Sequence, residues 1–235
     1  MSLAYILQEL DDPDFDDIHG DDETGGFAAD KALRLLVSSL YASWRPSAVT
    51  FLAAARVAVR CGERLSQVTT VVPDVLVAAG VTPSAEWWKP SHRVYLVSRF
   101  GKPPDVAIDL LTRAAERPET PVARQQAYEQ MGVTYWVVYD PCRLRSAQPV
   151  TVFERNGQRL TPRADTQLPR LGLGLTLWRG TFEQRDDEWL RWNDLSGNLL
   201  LTGDELATYW RCRATELQAQ VQASSVQAPP AKPDH

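Results

Sequence analysis

Two aspartates stand against apolar runs in this chain: Asp74 in VVPDVLVA and Asp109 in PDVAIDLLT. In a strand, side chains at i and i+2 share a face. Asp105, Ala107, Asp109 and Leu111 therefore point one way, and Val106, Ile108 and Leu110 the other. Asp74 follows a proline and opens the apolar segment VLVAA, so both acids belong to strands that must be largely buried. Two carboxylates brought within about 4 Å repel by roughly 4 kcal/mol at an effective dielectric of about 20, a repulsion relieved by a bound cation or a proton. Oxygen ligands of this kind suit Mg²⁺, which keeps several waters for chemistry. A third charged group follows on a helix. Arg124, Ala127, Tyr128 and Met131 recur at i, i+3, i+4 and i+7, which places Arg124 on the inward stripe, where a cation needs a carboxylate or a phosphate to face.

The elements that must position these residues can be read from turn and cap signals. Leu33, Leu36, Val37, Leu40 and Trp44 form a first amphipathic helix, stopped by Pro46. VTFLAAARVAVRC and VTTVVPDVLVAA, separated by a polar turn over Gly62 to Ser66, predict a hairpin, and RVYLVSRF predicts a further strand before DVAIDLLT. Thr120 as N-cap, Pro121 at the first helical position and Gly132 after the last turn bound a helix over Pro121 to Met131. Next come a strand in TYWVVYD, a hairpin from PVTVFE with Asn156-Gly157 as its turn, and an aromatic-rich tail sheet or loop through LWRGTF and EWLRW. Thr202 and Glu205 make a capping box for a last helix ending near Gln222.

At 235 residues, with no break in composition, the chain predicts a single α/β domain over 27–222. Residues 1–26 predict an acidic mobile arm and residues 223–235 a disordered tail. The net charge of -5 conceals an asymmetry: residues 1 to 30 hold ten of the 30 acids and no Lys or Arg, leaving 25 basic against 20 acidic residues elsewhere. The arm reads either as a solvated tail or as a nucleic-acid mimic lying over a basic groove. No apolar run reaches the roughly 20 residues of a membrane span and no basic leader is present, so the sequence predicts a cytoplasmic protein with no membrane partner. Cys61, Cys142 and Cys212 lack zinc-site spacing and read as reduced thiols. Trp87 and Trp88 read as packing over the core rather than stacking on bases, Tyr128, Tyr135 and Trp136 as core aromatics, and Gly172-Leu173-Gly174 as a turn.

The series PDVLV, P-x-VAIDLLT, Tyr128-x-x-Met131-Gly132-Val133 and Tyr135-Trp136-Val137-Val138-x-Asp140-Pro141 resembles the Uma-type restriction endonucleases common in cyanobacteria, and the likeness extends over roughly residues 27 to 215. The resemblance implies a restriction-endonuclease-like PD-(D/E)XK fold, a mixed central β-sheet flanked by α-helices, here with an additional C-terminal β-rich segment and helix. It also implies a Mg²⁺- or Mn²⁺-dependent endonuclease cleaving nucleic acid, DNA by preference, and a homodimer. Carried over by position, Asp74, Asp109 and the backbone carbonyl of Leu110 would hold the metal, and Arg124 would face the phosphate. Three positions depart from the family pattern. Relatives mostly carry Glu where Asp109 stands and Lys where Arg124 stands, and an acid of their first helix falls at Ala32, with Asp30 nearby. Two readings therefore stay open: a metal-dependent nuclease, or a non-catalytic relative serving as a binding or dimerisation module, with Asp109 and Arg124 paired to each other and Asp74 capping a turn.

Overall fold

The computed structural model describes residues 26–45, 49–62, 68–86, 88–89, 92–112 and 120–226. The predicted acidic arm, the turn over 63–67, Trp87 and residues 227–235 lie outside the described residues. In chain order the elements are α1 (Gly26–Ser43), β1 (Phe51–Ala55), β2 (Val59–Cys61), β3 (Thr69–Val71), β4 (Val75–Ala79), β5 (Tyr95–Leu96), α2 (Val97–Phe100), β6 (Val106–Leu110), α3 (Pro121–Met131), β7 (Tyr135–Tyr139), β8 (Val150–Asn156), β9 (Arg159–Pro162), β10 (Gln167–Leu168), a 3-10 turn (Pro169–Leu171), β11 (Leu173–Phe182), β12 (Arg185–Asp194) and α4 (Gly203–Val226).

A mixed six-stranded sheet in the order β1-β4-β6-β7-β8-β9 forms the centre. Its single parallel pair, β6 with β7, is joined through α3, and every other pair in it is antiparallel. Period-two alternation splits β6 as its sequence predicts. Val106, Ile108 and Leu110 pack in one cluster with Leu33, Leu36 and Leu40 of α1 and with Leu173, Leu190 and Trp192 of the C-terminal strands. Ala107 faces the other way, into a cluster with Tyr128 and Met131 of α3, Trp136 of β7 and Val59 and Val71 of a small sheet ordered β3-β2-β5. The molecule is thus a three-layered α/β assembly. α1 and the β10-β11-β12 sheet cover one face of the central sheet, and α3 with the small sheet covers the other.

The anticipated hairpin divides: β1 pairs with β4 in the central sheet, whereas β2 pairs with β3 in the small one. RVYLVSRF is not one strand. Only Tyr95 and Leu96 pair, and the chain then makes the single turn of α2, closed by Gly101 at φ 72°. Packing drives the break, because the turn folds Phe100 back onto the Tyr95 ring, with centroids 4.3 Å apart. The last helix also runs past Gln222, to Val226. Trp88, expected over the core, is 89% exposed.

Edge strand β1 is not left open. The outward N–H of Ala53 donates to the Tyr41 hydroxyl at 3.0 Å, and that hydroxyl donates to the Ala53 carbonyl at 3.1 Å, so a side chain of α1 occupies the place of a further strand. In β11, a Cβ on Gly180 would fall 2.2 Å from the Trp178 ring; the glycine lets that indole lie flat across its own strand.

Candidate functional site

α3 is held in register by its ends. The Thr120 hydroxyl accepts from Ala123 N–H at 3.2 Å, Pro121 occupies the first turn, and Gly132 closes the helix at φ 88°, in the left-handed region that a side chain rarely tolerates. This placement lowers Arg124 and Tyr128, one turn apart, onto the end of β6. Arg124 grips Asp109 with both arms of its fork: Nε donates to Oδ2 at 2.6 Å and Nη2 to Oδ1 at 2.8 Å. The Tyr128 hydroxyl donates to Oδ1 at 3.0 Å and Trp136 Nε1 to Oδ2 at 2.8 Å. Asp109 is 2% exposed and Arg124 7%. The guanidinium reaches further, from Nη2 to the Val72 carbonyl at 2.5 Å, and so ties helix, central strand and the β3–β4 link together.

Asp74 arrives at the same strand end from the neighbouring strand. Its N–H donates to the Ile108 carbonyl at 2.9 Å, and its Oδ2 accepts from Leu110 N–H at 2.6 Å. The expected juxtaposition is therefore present, with Asp74 beside the Asp109–Leu110 segment and Arg124 above it. The two carboxylates are turned differently, however: that of Asp74 toward the backbone of β6, that of Asp109 toward α3. Leu111 lines a cavity of about 260 Å³ in front of the pair, together with Val122, Gln125, Gln148 and Thr151. Asp140 borders the same cavity but is occupied in capping the next loop, accepting from Leu144 and Arg145 N–H, each at 2.8 Å.

The donor set does not fit a resident Mg²⁺ or Mn²⁺ in this arrangement. An ionised carboxylate offers about four lone-pair positions, and Asp109 receives four hydrogen bonds from Arg124, Tyr128 and Trp136. A cation would have to displace a buried, bidentate arginine. Among the described residues no group of three or more His, Cys, Asp or Glu is placed to hold a metal. Nor does α1 supply the absent acid. Ala32 packs with Trp189 against the opposite side of the molecule, and Asp30 is exposed and ion-paired with Arg34.

Tyr128 and Trp136 are buried, as expected of core aromatics. Their polar atoms also converge on Asp109, which the apolar pattern does not show. The available signal was chemical: a buried Tyr or Trp needs a partner for its O–H or N–H, and Tyr128 lies one helical turn from Arg124.

No protein-family model matches the sequence, and no curated protein or solved structure is significantly similar to it.

Proposed function

We propose that this chain is a restriction-endonuclease-like domain that binds nucleic acid without cutting it, a non-catalytic relative of the metal-dependent nucleases. One observation carries the reading: the carboxylate at the position of the metal-binding acid is filled by Arg124, Tyr128 and Trp136. Its physical basis is length and charge. Aspartate is shorter by one methylene than the glutamate of the family pattern, so its carboxylate stays close to β6, within reach of buried donors. Arginine in place of lysine supplies a planar fork that matches a carboxylate at two points, and its charge is not given up near neutral pH, so it is a poor base. Arg124 thereby locks helix to sheet. Nucleic acid as the ligand rests on the sequence resemblance, and the small, dispersed excess of 25 basic over 20 acidic residues beyond residue 30 permits contact with a polyanion without arguing for it.

A second reading, Mg²⁺-dependent cleavage with Asp74, Asp109 and Leu110 as ligands, is favoured by the placing of Asp74 beside the Asp109–Leu110 end of β6, although the bond there joins the Asp74 carboxylate to Leu110 N–H rather than to its carbonyl. Incubation with supercoiled plasmid in Mg²⁺ or Mn²⁺, beside Asp74→Ala, separates the two. The expected result is a salt-sensitive mobility shift, no nicking, and no metal-dependent rise in Tm. Nicking by the wild type that disappears in Asp74→Ala overturns the proposal in favour of the nuclease, and loss of the mobility shift at low salt removes nucleic acid as the ligand.

A further inference from the structure

α4 is built unlike the rest of the molecule. Its first turn is clamped: Glu205 accepts from the buried Arg191 at 2.7 and 2.6 Å, and the Thr202–Glu205 capping box closes the N-terminus. Beyond it, every residue from 207 to 223 is exposed. Most helical stability in proteins comes from packing of a helix face, and this stretch packs no face against the described residues of its own chain. Yet its surface is not uniformly polar, since Trp210, Leu217 and Val221 are 62%, 45% and 68% exposed. With Ala214 they recur at intervals of four, three and four residues, the a/d spacing of a coiled-coil seam.

We propose that this seam pairs with the same seam of a second copy of the chain, as an antiparallel two-helix interface between α4 helices. Size complementarity selects the partner and its direction. Run antiparallel about a two-fold axis between Thr215 and Glu216, the seam sets Trp210 against Val221 and Ala214 against Leu217, a larger residue over a smaller one in every layer. A parallel pair would oppose Trp210 to Trp210 and leave a gap between two copies of Ala214. The flanks agree: the antiparallel register sets Arg211 near Gln218 and Arg213 near Gln220, so no like charges meet. The contact is self-complementary and closes at two copies. Four apolar residues per helix make a small interface, in the class below about 1,200 Å² that dissociates readily, so association in the micromolar range is expected. The inference is independent of whether the chain binds or cuts nucleic acid.

Analytical ultracentrifugation of the full chain from about 1 to 200 μM tests it. The wild type should shift from monomer to dimer, whereas Leu217→Asp should stay monomeric with an unchanged Tm, because that side chain touches no core cluster. A wild type that is monomeric throughout, or a Leu217→Asp dimer, overturns the proposal. Direction is read by cross-linking in a background with Cys61, Cys142 and Cys212 replaced by Ser. Ala214→Cys mixed with Leu217→Cys should form disulfide dimers faster than either alone, and faster self-linking of each variant would overturn the antiparallel arrangement.

Discussion

Asp109 and Arg124 carry the argument at the residue scale, because a buried ion pair stabilises only when both members are present. Removing one partner strands the other charge in the interior, at about 3–5 kcal/mol, whereas replacing both with apolar groups of similar volume is often near neutral. Arg124→Met should therefore destabilise the fold by about 3–5 kcal/mol, and Asp109→Leu/Arg124→Met should recover part of that loss but not all of it, because the Tyr128 O–H and Trp136 N–H that Asp109 accepts are left buried without it, as urea denaturation of the two variants and the wild type can measure. Were Asp109 held in place chiefly for a metal, the double variant would not regain stability over Arg124→Met. Helical period places Arg124 on an inward stripe, whereas period two gives Asp109 only the residues that share its face of the strand. Whether they face each other or a ligand depended on the distance between α3 and β6, which no spacing along the chain encodes.

At the scale of elements, α3 transmits local sequence into site geometry. Thr120, Pro121 and Gly132 set its bounds, and the observed helix begins and ends where those residues predict. Thr120→Ala should cost about 1 kcal/mol, seen as a lower urea midpoint with an unchanged m-value. Helices with strong caps and strands with clean alternation were legible in this way, as were the Asn156-Gly157 hairpin and the Thr202–Glu205 box. Short elements were not. The turn at Val97–Phe100 owes its shape to Phe100 stacking on Tyr95, and the divided hairpin owes its shape to two sheets claiming different parts of one strand pair. Both are tertiary effects that override local propensity.

For the whole molecule, acid stability follows from carboxylates that join distant parts of the chain. Burial pushes the Glu205 carboxyl up, but the hydrogen bonds from Arg191 and Thr202 outweigh it and leave it below the usual glutamate value. Glu129 behaves alike: burial raises it, while Leu160 N–H, Gln125 and Arg159 bring it below. A carboxyl depressed in the folded state means that the unfolded chain binds more protons in acid. The stability these groups supply is therefore complete above their unfolded pKa of about 4.3 and is lost as pH falls through their lower folded values. Calorimetry should show Tm declining from about pH 5 downward, and Glu205→Gln should show a shallower decline. The sequence by itself determined the mixed α/β class, the order and bounds of the strongly patterned elements, the apolar strands that carry Asp74 and Asp109, and the inward stripe of Arg124, because periodicity and caps are local properties. Only the tertiary structure decided that Arg124, Tyr128 and Trp136 fill the carboxylate of Asp109, that Asp74 accepts from Leu110 N–H, and that α4 lies exposed from residue 207 to 223. Each of these depends on which surfaces meet across the fold, and packing, rather than the chain's local preferences, sets those meetings.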